Sequence, residues 1–359
     1  MFRSRRRLTS SEPSPLRVHV VSETTFTIRG HGVHSAYEEC LRAVDEMPDV
    51  EQVKGLRAYG RSVILHVHTM GPVAVLRMLA HRGPRLITAH VTPASLIGNI
   101  RGADLFPGFA RWYMKVVYNL ADLVLSVSQA TTAELEEIGV RSRILLTVNA
   151  IDERRIHLLS RQRKSLRQRF GWDDELVILG VGQIQARKGV EEFVACAGML
   201  PHLRFVWVGG MPFGVLSDRR NELVRLCETA PENVRFTGLL PRDKVFEYYA
   251  ASDVFFLPSK HETFGLATLE AATADLPLIL SDLDCYQNWL QDAYVHGETV
   301  TDYVEAIRSM ENAEWRAKWG EQASEVAARY GTRMLTHGLR EAYSLAVRRS
   351  SSSQEPQRL

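Results

Sequence analysis

The sequence has little of what marks a membrane-spanning, secreted or metal-scaffolded protein. No apolar run reaches the ~18 residues of a transmembrane helix. The best candidate, Val63 to Ala80, is interrupted by His66, His68, Gly71, Pro72 and Arg77. The N-terminal Arg3-Ser-Arg5-Arg6-Arg7 leads into Ser, Pro and Glu without the apolar segment of a secretory signal. The four cysteines, Cys40, Cys196, Cys227 and Cys285, form no C-x-x-C pair, so neither a disulfide frame nor a zinc site is indicated. A Walker loop is missing as well. The expected location is therefore the cytoplasm.

What is present is a globular α/β chain. Its 359 residues are 45% hydrophobic and 24% charged, a composition that excludes disorder and implies two domains. Apolar strand-like runs begin at Leu16, Val63, Arg85, Leu123 and Ile144, and a second series begins at Leu176, Leu203, Val234, Val254 and Leu276. Helical patterns such as Ser35–Met47 and Gln129–Ile138 separate most of them. Buried strands alternating with amphipathic helices predict parallel sheets covered on both faces. The charged stretch Asp152 to Arg169 reads as the connection between the series. The expected division is a disordered tail over 1–15, a Rossmann-like domain over 16–151, a second over 152–330, a helix over 331–348 packing back on the first domain, and a disordered tail over 349–359.

The net charge of +2 conceals an asymmetry: residues 1–150 carry 18 Lys and Arg against 13 Asp and Glu. Within 52–121 nine basic residues face one acid, Asp104. Such a surface favours an anionic partner, membrane lipid or nucleic acid. No nucleic-acid-binding module is recognisable.

In open α/β sheets ligands bind beyond the carboxyl ends of the strands, so chemistry is sought there. The run Val254-Phe-Phe-Leu-Pro258 ends a buried strand, and a helix is predicted from near Gly265. Unpaired amides and the helix dipole at that start, with Gly265 permitting close approach, make a seat for a diphosphate. Glu262 and Glu270 bracket it. On a single helix they would lie roughly 12 Å apart, too far for the paired carboxyls of a hydrolase, at about 5–9.5 Å. Two separate tasks fit better, since a carboxylate can grip a pair of sugar hydroxyls. In the second series Gly180-Val-Gly182-Gln183 precedes Arg187-Lys188-Gly189, where Lys188 can neutralise a diphosphate oxygen. Gly209-Gly210 and Gly238-Leu239 offer backbone edges for a flat base, or simply tight turns. His90, ending a strand, is placed to hydrogen-bond a sugar hydroxyl. His66 and His68 share a strand face, but no third ligand for a metal is evident.

Together these segments resemble the retaining glycosyltransferases of family 4, which have the GT-B architecture of two Rossmann-like domains facing across a cleft. The resemblance rests on Glu262-x7-Glu270 in its H-E-T-F-G-L setting, Arg187-Lys188-Gly189, Val206-Trp-Val-Gly209-Gly210, Phe236-Thr-Gly238, Ala121–Ser128 and Asn149-Ala-Ile-Asp152, in order. It implies that Lys188 and the amides of Gly265, Leu266 and Ala267 bind the donor diphosphate. Glu270 would hold the ribose, Glu262 would contact the donor sugar, and His90 would lie beside it. Gly32 would belong to a loop over the phosphates, with Gly210 and Leu239 near the base. No metal and no other cofactor is implied. Gln183 stands where the family commonly has arginine, which removes one positive charge from the seat. The Gly-Gly-x-x-Glu loop after the last strand is replaced by Ser281–Tyr286.

That replacement, with Trp207–Gly214 and Gly30–Tyr37, is most similar to a subgroup that glucosylates diacylglycerol or glycosyl-diacylglycerol. The implied donor is UDP-glucose. A predicted helix over Leu105–Tyr118 joins Trp112 to Arg111 and Lys115, a composition suited to an anionic bilayer interface or to a domain core. The expected partners are thus a nucleotide sugar, a lipid acceptor and an anionic membrane surface at the inner face of the cell membrane, with no nucleic acid. The alternatives are a soluble or polysaccharide acceptor, and a non-catalytic sugar-nucleotide-binding protein.

Overall fold

The computed structural model describes residues 15–23, 32–55, 58, 60–96, 107–172, 174–211 and 219–352. Its strands form two six-stranded, wholly parallel sheets. In the first, β1 (Leu16–Val21), β2 (Val50–Gln52), β3 (Val63–Val67), β4 (Arg85–Ala89), β5 (Leu123–Ser126) and β6 (Arg143–Leu146) lie in the order β2-β1-β3-β4-β5-β6. In the second, β7 (Val177–Val181), β8 (Arg204–Val208), β9 (Val234–Phe236), β10 (Val254–Leu257), β11 (Leu278–Ser281) and β12 (Val295–Gly297) take the order β12-β11-β10-β7-β8-β9. Central strands are apolar along their whole length because helices cover both faces: every residue of β3, β7 and β10 is buried.

Each strand order reverses once, and the reversal opens a crevice at the carboxyl ends. In the first sheet it lies between β1 and β3. In the second it lies between β7 and β10, so the loops following Val181 and Leu257 are brought side by side. That adjacency builds the site described below.

Helices in chain order include α1 (Gly32–Asp45), α2 (Pro72–Ala80), α3 (Pro107–Tyr118) and α4 (Gln129–Glu137). α1 starts at Gly32, so Ser35, where the sequence pattern begins, already lies inside its first turn. The charged connection is helical as well: α5 (Glu153–Ser160) and α6 (Arg163–Phe170) bury Ile156 and Leu166 in the core of the second sheet. Leu159 and Phe170 pack partly buried against the same core, and so few apolar side chains per helix are too sparse a signal to read as periodicity.

The long C-terminal helix, α11 (Thr332–Ser352, numbered after α7–α10 introduced below), returns to the first sheet. Leu335, Leu339, Ala342, Tyr343 and Ala346 join Val18, Val20, Ile64 and Leu125 in one core. The fully buried Tyr343 lies 2.9 Å through its hydroxyl from His66 Nδ1. Truncation to Tyr343→Ala removes a buried aromatic and leaves a cavity, so it is expected to cost about 3–5 kcal/mol. Tyr343→Phe removes only the hydrogen bond and is expected to cost about 1 kcal/mol. Urea unfolding of both variants measures the difference, and equal losses would contradict this packing.

Candidate active site

The loop after β7 turns through Gly182 and a short 3-10 segment, Ala186–Lys188, into α7 (Val190–Met199). Gly189 caps this turn with φ +69°, and a Cβ there would stand 2.0 Å from the Pro258 carbonyl oxygen. Only glycine permits that approach. The loops are also stitched together by Lys260 N–H donating to Arg187 O at 2.7 Å and Arg187 Nη1 donating to His261 O at 3.1 Å.

Their contact brings two sequence-predicted residues together. The Lys188 ammonium meets Glu262 Oε1 directly, and Ser259 Oγ donates to the same oxygen at 2.8 Å. Arg187 Nη1 stands 3.9 Å from Oε2. Burial alone would raise the Glu262 carboxyl, but the Lys188 charge, seconded by Arg187, outweighs it and holds the group below its ordinary value. Burial draws the Lys188 ammonium below the usual lysine range, with Glu262 opposing.

Beyond this pair, Gly265 has φ +86° and caps α9 (Leu266–Thr273), introduced in sequence after α8 (Arg242–Ala251). A Cβ at Gly265 would meet Tyr286 Cε1 at 2.5 Å. Tyr286 belongs to α10 (Asp284–Leu290), which occupies the segment where the family's glycine-rich loop is replaced. The amides of Gly265, Leu266 and Ala267 thus face the cavity from a helix start. One turn inside α9, Glu270 is fixed at both oxygens: Arg242 Nη2 donates to Oε1 at 3.0 Å and the Tyr249 hydroxyl to Oε2 at 3.1 Å.

Between the two domains lies one cavity of about 890 Å³, a size typical of ligand clefts. Lys188, Glu262, Gly265, Leu266, Ala267, Glu270, Gln183 and Leu239 line it from the second domain, and Gly32 and His90 line it from the first. Gly210 stands behind Leu239, where a Cβ would come within 3.0 Å of Leu239 Cγ. Gln183 is buried. Its Oε1 accepts from Gln185 Nε2 at 2.7 Å, while its own Nε2 has no partner among the described residues. The unsatisfied amide is a neutral donor where the family commonly carries a cation. The segments 25–31 and 212–218, and Leu105 and Phe106, lie outside the described residues.

His90 Nε2 is 3.0 Å from His68 Nδ1, and the rings of His68 and His66 lie 4.5 Å apart. The expectation that these histidines lack a thiol neighbour is corrected: Cys40 Sγ lies 3.7 Å from His66 Nδ1. Cys40, His66 and His68 are close enough together for a metal, yet both His66 nitrogens already meet hydroxyls, Tyr343 at 2.9 Å and Thr88 at 2.7 Å. Burial draws His66 down to about 3 and pushes the Cys40 thiol up to about 12. The group is a column of ring contacts and hydrogen bonds beneath His90. Chain separations of 26 and 277 residues hid Cys40 and Tyr343 from sequence reading.

Arg242 and Glu39 were missed for a different reason. Arg242 opens α8, where a cation opposes the helix dipole, and Glu39 falls on the apolar stripe of α1 with Ala36, Cys40 and Ala43. Both misplacements were visible signals. On α3, Met114, Val117 and Tyr118 are buried, as the core reading expects of one face, while Trp112 is exposed. Arg111 Nη2 pairs with Glu137 at 2.8 Å, and Lys115 Nζ packs against Gly139.

A twin Rossmann-like fold with an inter-domain cleft carrying a helix start, a buried ammonium and paired carboxylates defines a GT-B glycosyltransferase. Family comparison agrees: residues 9–155 match the model for Glycosyltransferase Family 4 and residues 162–326 the model for Glycosyl transferases group 1. The chain belongs to this family and is a hexosyltransferase. It is 29% identical, over 79% of this chain and 77% of the other, to the alpha-galactosylglucosyldiacylglycerol synthase of Streptococcus pneumoniae. It is 22% identical, over 71% and 80%, to the processive diacylglycerol alpha-glucosyltransferase of Acholeplasma laidlawii. The solved structure of Anabaena Alr3699/HepE in complex with UDP and glucose superposes with a TM-score of 0.72 at 16% identity, over 92% of this chain and 99% of that one.

Since the depressed Glu262 carboxyl contributes stability above its unfolded value and loses it as pH falls through the folded one, Lys188→Ala has a signed consequence. At neutral pH the uncompensated buried carboxylate is expected to cost about 3–5 kcal/mol. The deficit should narrow as pH falls through and below the ordinary glutamate range, about pH 4: without Lys188 burial leaves the variant's Glu262 to protonate first, and the depressed wild-type carboxyl loses its pairing only at lower pH. Denaturant melts at the two pH values check this; a pH-independent deficit would contradict the pairing.

Proposed function

We propose that the protein transfers glucose from UDP-glucose to diacylglycerol or a glycosyl-diacylglycerol at an anionic membrane surface, with retention at the anomeric carbon. The observation that carries the donor half is the convergence of Lys188, Glu262 and the α9 amides on one cleft. In this reading Lys188 turns from Glu262 to the diphosphate, and the helix start stabilises charge as it develops on the leaving oxygen. The sugar C1–O bond to phosphate breaks, the acceptor oxygen bonds C1 on the same face, and its proton passes to the departing phosphate. Glu262 and His90 hold the sugar, Glu270 holds the ribose, and Leu239 with Gly210 backs the base. Positive charge for the leaving group comes from Lys188, Arg187 and the helix, so the reaction needs no metal and turnover should survive EDTA.

The lipid half is supported by the relatives' names and by a surface feature of the first domain. No helix among the described residues is long and apolar enough to cross a membrane. However, Val73, Leu76 and Leu79 on α2 and Phe109, Trp112 and Val116 on α3 are between 41% and 66% exposed. The helices adjoin: the Tyr113 hydroxyl donates to Met70 O just before α2. Apolar side chains of this size presented together, within the basic stretch 52–121, suit insertion into an anionic interface.

UDP release from UDP-glucose is expected only when diacylglycerol or glucosyl-diacylglycerol is supplied in anionic vesicles. Lys188→Ala or Glu262→Ala should reduce it by about 10²-fold or more. Leu76→Ser with Trp112→Ser should weaken vesicle sedimentation and lipid turnover together. Turnover with soluble sugars alone would favour the soluble-acceptor alternative, and donor binding without any turnover would favour a non-catalytic protein.

A further inference from the structure

One guanidinium joins the two domains beside the cleft. Arg242 Nη2 donates to Glu270 Oε1 at 3.0 Å, and its Nη1 lies 2.8 Å from Glu39 Oε1 on α1 of the other domain. Nη1 also points to Ser35 O at 3.4 Å and stands 3.8 Å from Glu38 Oε2. The Phe246 ring lies beneath the guanidinium, 5.1 Å away. Glu39 is almost wholly buried. Arg42 Nη1 shares its Oε1 at 3.1 Å, and its Oε2 has no partner among the described residues. Burial raises the Glu39 carboxyl despite both arginines. A buried acid on a helix face that otherwise carries Ala and Cys is expensive to keep, and what it holds is Arg242.

Glu270 is therefore oriented by two donors. Both come from α8 of its own domain, but Arg242 is itself held in place by Glu39 from across the cleft. Each carboxylate oxygen accepts one bond from them and retains a further acceptor site, so the direction in which the remaining lone pairs face is set by the Arg242 fork. We propose that Arg242 and Glu39 are positioning residues for the nucleotide ribose, the Glu39–Arg242 bridge aiming the free lone pairs of Glu270 at the 2′- and 3′-hydroxyls. This rests on the reading of Glu270 as the ribose clamp. It makes ribose selectivity a property of both domains, although Glu39 itself need not touch the nucleotide.

The test is calorimetric titration of the full chain with UDP and with 2′-deoxyuridine diphosphate. The wild type is expected to prefer UDP by about tenfold or more, the value of one hydrogen bond to a charged group, and Glu270→Gln should abolish that preference. Glu39→Gln and Arg242→Lys should each reduce it to about threefold or less, since neither a neutral amide nor a point ammonium maintains the two-carboxylate fork. The double variant should be no less selective than the weaker single one. Thermal melts accompany each titration. If Glu39→Gln melts earlier yet keeps the full wild-type preference, Glu39 is merely structural and the proposal is overturned. Failure of the underlying reading looks different: the wild type would bind UDP without any preference over the 2′-deoxy form.

Discussion

The contact on which the site depends is the one between the Lys188 ammonium and the Glu262 carboxylate. Neither charge is tolerable alone at that depth. Their meeting requires the loops after β7 and β10 to touch, which the missing Cβ of Gly189 allows and the reversal of strand order between those strands makes inevitable. The same adjacency sets the start of α9 a few residues beyond Glu262. A diphosphate arriving there finds a cation already desolvated and a set of amides already aimed, so little reorganisation is left for the reaction to drive. Substitution of Gln183 for a cation leaves this arrangement intact and lowers only the total positive charge around it.

The first domain contributes by support. His90 reaches the cleft on a column of His68 and His66 that ends at Tyr343 of the C-terminal helix, so the last helix of the chain braces a residue of the cleft wall. Across the gap Arg242 binds Glu39, and Thr131 and Glu134 of α4 reach Thr263 O and His261 at 3.3 Å each. Val127 and Ala130, at and just before the start of α4, pack against the core of the second domain, so polar and apolar contacts join the two. The exposed apolar side chains of α2 and α3 lie in this domain as well.

Much of this was legible in the sequence because the chemistry is local. Glu262, Gly265 and Glu270 fall within nine residues, and Lys188 follows its strand by a fixed short loop, so spacing alone brought them forward. What stayed hidden is long-range or two-faced. Cys40 and Tyr343 join His66 only through the tertiary fold. On α2 the sequence PVAVLRMLA is apolar on both faces but for Arg77, with Ala74 and Met78 inward and Val73, Leu76 and Leu79 outward, so no periodicity distinguished core from surface. The edge strands β2 and β12 have three residues each, below the length at which alternation can register. Arg242 and Glu39 broke local rules in plain sight, and the cost of each becomes intelligible only when the two domains are seen together.

The central claim, that a nucleotide sugar lies between the two domains and touches both, is most directly tested by hydrogen–deuterium exchange with and without UDP-glucose. The account predicts slowed exchange together in 182–190 and 262–270 of one domain and 32–39 of the other. Protection confined to one domain, or lying outside these segments, would contradict it.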